Sequence, residues 1–194
     1  MAGVRNEQRR RRILDATVQI IGREGPGAVT HRAVAAEAGV PLAATTYYFA
    51  SKAALLDEAF TVSMESDLVE LEVLARSMAQ SPVSVEGFAR SIGRFLVTQL
   101  RYRRTMVVAQ YELTLEAARD AALGSAARAS AEAYMVLFQE MLAKIGAADP
   151  PGDARLLIAV MDGLLLDQLS APRSPLAPDT FTDQLRRFLG GLLT

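Results

Sequence analysis

The chain has 194 residues, 51% of them apolar, and a formal net charge of −1. That length and apolar content suffice for one large domain, or for a small domain joined to a medium one, with a buried core. Cysteine is absent and there is one histidine, which excludes disulfides, thiolate metal sites and a histidine-rich metal centre. We therefore expect neither a metal nor another cofactor.

Membrane insertion and secretion are not expected from the sequence. No stretch reaches the roughly 18 uncharged apolar residues that a membrane span needs. The N-terminus carries an arginine run instead of the apolar core of a signal peptide. We expect a cytoplasmic, nucleoid-associated protein without a membrane partner.

The small net charge conceals opposite charges in the two parts of the chain. Residues 1–52 carry eight basic and four acidic side chains, whereas the other 142 residues carry 13 basic and 18 acidic ones. A basic end on an acidic body predicts that the N-terminal part meets a polyanion. For the run from Arg9 to Arg12 alone, a solvated arginine arm is the alternative explanation.

Strand-like patterns are nearly absent, and helix-favouring alanine, leucine, arginine and glutamate dominate the sequence. We predict an all-α fold. A first helix is expected from about Glu7 to Gly22, where a cluster of glycines with Pro26 ends it. Longer helices are expected later, at about residues 52–79, 85–100, 103–122, 125–145, 154–170 and 180–193.

Two short helices separated by a glycine-containing turn are predicted between the first helix and the long fourth one. Thr30 is expected to cap the first of them, and Gly39 to form the turn. Pro41 then opens the second short helix, which ends near Tyr48, and Ser51 caps the fourth helix. Short helices joined in this way form the helix-turn-helix signature of DNA-binding proteins.

The helix-turn-helix region resembles a known family. Residues 33–56, AVAAEAGVPLAATTYYFASKAALL, are similar to the hallmark of the TetR family, and the similarity covers about residues 7–60. The resemblance implies an obligate dimer, a helix-turn-helix that reads a palindromic operator, and a C-terminal domain that holds an inducer. It divides the chain into a DNA-binding domain at residues 1–52 and a helical ligand-binding and dimerisation domain at residues 53–194.

The predicted reading helix departs from the family pattern. Pro41 stands where a serine is usual and Ala43 where a glycine is usual, and Thr45 and Thr46 replace a Leu-Tyr pair. Residues 41–49 contain no Arg, Lys, Asn or Gln, the residues that make the common bidentate contacts to guanine and adenine. We expect the two threonines to contact base edges and groove shape to supply much of the specificity.

The predicted DNA-binding residues combine phosphate contacts from the basic arm and helix two with base contacts from the reading helix. The arginines are expected to precede or open helix one, where an arm lies along the backbone or in a narrow minor groove. Phe49 is expected in the core. The predicted contact residues are Arg9, Arg10, Arg11, Arg12, Thr30, His31, Arg32, Pro41, Leu42, Ala44, Thr45, Thr46, Tyr47, Tyr48 and Lys52.

The last two helices are expected to form the dimer interface. Residues 155–169 are apolar nearly all round, which suits a helix that faces both its own core and a partner. An ordinary buried helix explains the pattern equally, and the family resemblance favours the interface. The predicted interface residues are Leu157, Val160, Gly163, Leu164, Phe181, Leu185, Phe188 and Leu192.

Methionines and aromatic residues of the middle helices are suited to an adaptable apolar pocket, although core packing explains each of them as well. Gln110 and Glu112 are the candidate polar anchors of a ligand, with an exposed position as the alternative explanation. The predicted pocket residues are Met64, Phe88, Phe95, Met106, Gln110, Tyr111, Tyr134 and Phe138.

The sequence thus predicts a ligand-responsive transcriptional regulator that is not an enzyme. We expect a repressor released from double-stranded operator DNA when an apolar small molecule binds and helix four tilts. A small helical enzyme is one alternative, but it would depend on His31, which has no nucleophile motif near it. A helical protein-interaction module would show the same apolar stripes, but it gives no reason for the basic N-terminal part.

Overall fold

The computed structural model describes residues 2–120, 123–171 and 176–192, and within these ranges it is all-α, as predicted. A 3-10 turn at Pro26–Ala28 follows the first helix. The helices of the described ranges are α1 (Ala2–Glu24), α2 (His31–Ala38), α3 (Leu42–Tyr48), α4 (Lys52–Gln80), α5 (Val85–Tyr102), α6 (Arg104–Arg119), α7 (Gly124–Lys144), α8 (Pro150–Ser170) and α9 (Thr182–Leu192).

Helix α1 is longer than the sequence pattern predicted. It spans Ala2–Glu24, so the run from Arg9 to Arg12 lies inside the helix. The run was predicted to precede the helix or to open it, and it does neither, because about two helical turns come before Arg9. Arginine, glutamine and glutamate all favour helix, so the segment before the apolar stripe continues the same hydrogen-bond ladder.

Gly22 does not end α1, contrary to the prediction. A Cβ on Gly22 would lie 2.6 Å from Cγ2 of Thr105, at the start of α6, and closer still to the Thr105 carbonyl oxygen. The glycine therefore permits close approach of two chain segments. The turn is made by Gly25, whose φ of +82° is a conformation that glycine adopts without strain.

The predicted caps of the short helices are confirmed. Thr30 Oγ1 accepts from the Ala33 N–H at 3.1 Å and opens α2, and Gly39 ends α2 with a φ of +62°. Ser51 Oγ accepts from the Ala54 N–H at 3.1 Å and opens α4. These turns fix the helix-turn-helix by local hydrogen bonds.

The helices group into two compact units. Unit 1 contains residues up to Asp67 together with Thr105–Ala131, and unit 2 contains Leu68–Arg104 together with residues from Glu132 onward. The predicted DNA-binding domain falls within unit 1, which also includes the first half of α4 and all but the first residue of α6. The proposed domain boundary after residue 52 stays a prediction.

Each unit has its own buried apolar residues. In unit 1 the side chains of α1, α2 and the start of α4 bury one another, and Phe49 is 1% exposed, as expected of a core residue. In unit 2, α5 packs against α9 and α8. Large buried side chains of unit 2 include Leu71, Phe88, Ile92, Leu96, Phe138, Met141, Leu142, Leu157, Leu185 and Leu189.

Among the described helices, none combines the length and the apolar composition required to cross a membrane.

Candidate DNA-binding and effector sites

The solvent face of α3 is small and largely apolar. Leu42, Ala43, Thr46 and Tyr47 are exposed, at the i, i+1, i+4 and i+5 spacing that places them on one side of a helix. The Tyr47 ring is 75% exposed and stands edge-on to Tyr48, with centroids 5.1 Å apart. This face offers methyl groups, one phenol and the exposed Thr46 hydroxyl, which donates to the Ala43 carbonyl oxygen at 3.2 Å.

Thr45 does not share that face. Its side chain has no solvent exposure, and its hydroxyl donates to the Leu42 carbonyl oxygen at 2.8 Å. The His31 carbonyl oxygen lies 3.4 Å from the same hydroxyl. The prediction that Thr45 contacts a base edge is therefore wrong, because the residue joins α3 to α2. Of the predicted threonine pair, only Thr46 faces solvent.

The arginines of α1 lie on two different faces. The Arg10 guanidinium pairs with Glu58 of α4 and lies over the Phe49 ring, 5.5 Å from its centroid. Arg11 donates to Asp15 Oδ1 at 3.0 Å and pairs with Glu65 of α4. Because both guanidinium groups are held by carboxylates within the protein, they are poorly placed to bind phosphate.

Arg5, Arg9 and Arg12 form the other face. They are exposed, and they lie on one side of α1. No ion pair in the described part of the chain includes these three residues. Their i, i+4, i+7 spacing places three unneutralised charges in a row. Arg5 was not among the predicted contact residues, although the same spacing in the sequence could have indicated it.

Helix α2 and the start of α4 contribute further groups. Arg32 and Lys52 are exposed. His31 is half-buried, and its Nδ1 is shielded from solvent without a hydrogen-bond partner in the described structure. The Thr30 hydroxyl oxygen is used as the α2 cap. Among the remaining predicted residues, Pro41 is exposed, Ala44 is half-buried, and Tyr48 is half-buried and hydrogen-bonded to Asn6.

An ion pair joins α1 to α2 beside this surface. Both terminal nitrogens of Arg23 donate to the Glu37 carboxylate at 2.9 Å. These charge-assisted hydrogen bonds lower the pKa of Glu37 and raise the pKa of Arg23. The pair fixes the angle between the two helices by a bidentate contact.

The predicted pocket residues are divided between the two units. Four belong to unit 1 and four to unit 2, where Phe88 and Phe138 have no solvent exposure and Phe95 is 6% exposed. Tyr134 lies beside Phe138, with ring centroids 6.3 Å apart. That these side chains line one pocket stays a prediction. The unit 1 members are Met64, Met106, Gln110 and Tyr111, all half-buried.

Gln110 is not exposed, contrary to the alternative explanation of this residue. It is half-buried, and its Nε2 donates to the Ser63 carbonyl oxygen at 2.8 Å and to Asp67 Oδ2 at 2.9 Å. Sequence reasoning missed a second glutamine, Gln99 of α5. This residue is 2% exposed, and its Nε2 has no hydrogen-bond partner in the described structure. Its position in an apolar stripe of α5 was the available signal.

Three predicted dimer residues lie in the interior of unit 2. Leu157 and Leu185 have no exposure and Phe181 is 3% exposed, so the prediction that they contact a partner subunit is wrong. They pack within their own unit instead. Gly163 is exposed, with space around its Cα for an added Cβ. The other predicted interface residues, Val160, Leu164, Phe188 and Leu192, are half-buried.

The exposed apolar stripe on α8 was predicted only at Gly163. Leu156 and Leu166 are 52% and 46% exposed, and Ala159 and Gly163 lie between them on the same face. The spacing i, i+3, i+7, i+10 is that of a helix-packing surface. Because α8 is apolar on nearly every side, the sequence alone does not show which side faces outward.

Comparison with known proteins agrees with this architecture. The family model described as "Bacterial regulatory proteins, tetR family" matches residues 13–59, and "Tetracyclin repressor-like, C-terminal domain" matches residues 83–194. The HTH-type nicotine-responsive transcriptional repressor HdnoR of Paenarthrobacter nicotinovorans is 26% identical over 174 residues, which are 86% of this chain and 87% of that protein.

Solved structures are similar over nearly the whole chain. The multidrug binding protein EbrR in complex with ethidium is 33% identical with a TM-score of 0.73, covering 96% of this chain and 99% of that one. A TetR family member from Streptomyces coelicolor A3, SCO1917, is 32% identical with a TM-score of 0.73, covering 96% and 98%. The chain belongs to the TetR family. It is a ligand-responsive, DNA-binding transcriptional repressor.

Proposed function

We propose that the protein acts in the cytoplasm, on the nucleoid, as a homodimer that holds a palindromic operator and releases it when an apolar small molecule binds. The observation that carries the proposal is the surface of unit 1. It combines an exposed α3 face with the α1 stripe of arginines that have no carboxylate partner among the described residues. We assign no catalytic role to any residue, His31 included.

Base reading is assigned to the exposed α3 face. Leu42 and the methyl group of Thr46 are suited to the C5-methyl group of thymine in the major groove. The Thr46 hydroxyl donates to the Ala43 carbonyl oxygen, and its oxygen is suited to accept from a donor edge of a base. This face lacks the residues that bind guanine or adenine in bidentate fashion. Sequence-dependent groove shape therefore supplies a substantial share of the specificity.

Phosphate binding is assigned to exposed basic side chains of α1, α2 and α4 and to one neutral phenol of α3. These are Arg9 and Arg12, joined by Arg5, with Arg32, Lys52 and the Tyr47 hydroxyl. Arg10 and Arg11 have a different role in this proposal, because their charges are neutralised by α4 carboxylates. They position α1 and do not hold DNA.

Dimerisation is assigned to the α8 stripe from Leu156 to Leu166, together with the half-buried Val160 and Leu164 of α8 and Phe188 of α9. An exposed apolar row of this kind is stabilised when a second copy covers it.

Dimerisation also raises the affinity for DNA. One reading helix with few base contacts binds weakly. Joining two of them makes the second contact intramolecular and raises the affinity without any new contact.

The effector is proposed to be an apolar aromatic molecule bound among the C-terminal helices of unit 2. HdnoR is named for its response to nicotine, and EbrR has been solved with ethidium, proflavin and malachite green. For release, the effector must bind the DNA-free state more tightly. A change from 1:99 to 99:1 requires about 5.5 kcal/mol of differential binding. Equal affinity for the DNA-bound and DNA-free protein in calorimetry would contradict this switch.

The proposal is tested by a mobility-shift assay on the DNA upstream of the protein's own gene, with scrambled DNA of equal length as reference. Tyr47→Ala is compared with Tyr102→Ala, since both rings are 75% exposed and only the first is on α3. We expect Tyr47→Ala to weaken the shift and Tyr102→Ala to leave it unchanged. If no shift is seen even at low salt, where DNA binding is strongest, the result would favour a protein-interaction module instead.

A further inference from the structure

Gln99 is a buried polar side chain whose amide nitrogen has no hydrogen-bond partner among the described residues. It is 2% exposed, and its Nε2 meets no acceptor in the described part of the chain. An unsatisfied buried donor destabilises the folded protein. Because buried polar groups in native proteins are nearly always paired, such an exception calls for a partner that is absent from the protein itself.

The contrast with Gln110 shows which glutamine is available to a ligand. A glutamine amide has two N–H donors. Gln110 directs its nitrogen to the Ser63 carbonyl oxygen and to Asp67, at 2.8 and 2.9 Å, so both donors are occupied within unit 1. A ligand acceptor could bind the Gln110 amide nitrogen only by breaking a hydrogen bond, whereas Gln99 donates without any such loss.

The surroundings of Gln99 on α5 are apolar. Phe95 and Leu96 precede it by four and three residues and Ile92 by seven, the spacings that place side chains on the same side of a helix. Their exposures are 6%, 0% and 0%. A single polar group among buried apolar side chains is the composition of a site that holds an apolar ligand and fixes its orientation.

We propose that Gln99 is the polar anchor of an effector site in unit 2, where its Nε2 donates to a neutral acceptor on an otherwise apolar aromatic molecule. A carbonyl oxygen or an unprotonated ring nitrogen meets this requirement. An ammonium group does not, because it has only donors and would leave Nε2 unpaired. The inference rests on the proposed function in one respect, that the effector binds among the C-terminal helices.

The test uses two probes of nearly equal shape, fluorene and 9-fluorenone, which differ in one carbonyl group. Binding of each to the full-length protein is measured by calorimetry. We expect the wild-type protein to bind the ketone about tenfold more tightly, which corresponds to one hydrogen bond of about 1.4 kcal/mol. In Gln99→Met the preference disappears through weaker ketone binding, while fluorene binding is unchanged. In Gln110→Met, the matched control, the preference persists.

Thermal unfolding of the ligand-free proteins gives a second readout. Gln99→Met removes an unpaired amide, so its midpoint should equal or exceed that of the wild-type protein, whereas Gln110→Met should unfold at a lower temperature. A lower midpoint for Gln99→Met would overturn the proposal, since it would show that the amide is already paired. A ketone preference that survives in Gln99→Met, or no ketone binding at its solubility limit, would overturn it too.

The mobility-shift assay separates this inference from the proposed function. If the wild-type protein shifts its upstream DNA but shows no Gln99-dependent preference for the ketone, the anchor assignment alone fails. If it shifts no DNA while the ketone preference depends on Gln99, the ligand site stands and the DNA-binding proposal fails.

Discussion

The guanidinium group of Arg10 lies 5.5 Å from the centroid of the Phe49 ring and also pairs with Glu58. Phe49 is the residue at which α3 ends, and Glu58 is in the second turn of α4. One side chain of α1 therefore contacts both the end of the reading helix and the helix that is expected to move with ligand. The three residues are in contact within unit 1, so the proposed mechanism predicts that a shift of α4 moves the end of α3 through them.

Replacing Arg10 should loosen this contact. Arg10→Ala removes a cation–π interaction and a half-exposed ion pair, and the expected loss of stability is about 1 kcal/mol, measured by urea unfolding. Arg9→Ala, one position earlier on the solvent face, should leave stability nearly unchanged and weaken DNA binding instead. Equal effects of the two variants on unfolding would show that Arg10 has no special structural role.

Thr45 and Thr46 provide a matched pair with opposite expected effects. Thr45→Val removes a buried hydroxyl that donates to Leu42 at 2.8 Å, so we expect a loss of about 1 kcal/mol in unfolding free energy. Thr46→Val changes an exposed residue whose methyl group is retained. It should alter the relative affinity for operators that differ in one base pair, and leave stability within experimental error. The result that contradicts the assignment is a specificity change confined to Thr45→Val.

Gly22 is predicted to tolerate no side chain. The Cβ of Gly22→Ala would overlap the backbone of Thr105, which forces the start of α6 away from α1 and costs about 1–3 kcal/mol. Gly27→Ala is the control, since nothing lies within 4 Å of its Cβ position. Thermal unfolding of both variants checks this prediction. A midpoint for Gly22→Ala equal to that of the wild-type protein would mean that the two segments are not in contact.

The ion pair between Arg23 and Glu37 should make stability depend on pH. Hydrogen bonding by Arg23 lowers the pKa of Glu37 in the folded protein. The stabilisation by this carboxylate is therefore present above its pKa in the unfolded chain and is lost as the pH falls through the lowered, folded-state pKa. Glu37→Gln should be less stable than the wild-type protein at neutral pH.

The same difference should disappear in acid, as measured by urea unfolding across a pH series. Glu140→Gln serves as the control, because Glu140 is exposed and has no ion pair in the described part of the chain. A difference between Glu37→Gln and the wild-type protein that persists unchanged at the lowest pH would rule out the carboxylate as its origin.

Charge on the α8 stripe should prevent dimerisation. Leu156→Asp places a carboxylate in the proposed interface, where burial of an unpaired charge is strongly unfavourable. Leu115→Asp is the control, since both leucines are 52% exposed. Sedimentation should show monomers for the first variant and the wild-type state for the second, and the first should also lose its DNA shift. A dimeric Leu156→Asp protein would place the interface elsewhere.

Local sequence determined the order of the helices and the caps that begin and end the short ones. Thr30, Gly39 and Ser51 act through hydrogen bonds or backbone conformations within three or four residues, so their roles follow from the adjacent sequence. The helix-turn-helix and the all-α fold were predictable for the same reason. The resemblance of residues 33–56 to a known family then indicated the function.

Only the tertiary structure decided which side of each helix faces outward. Thr45 and Thr46 are neighbours of the same residue type, and packing against α2 buries the first and leaves the second in solvent. On α8, likewise, Leu156 is exposed and its neighbour Leu157 is buried. A helix that is apolar on most sides has no periodic signal for its orientation, because its burial depends on residues distant in the chain.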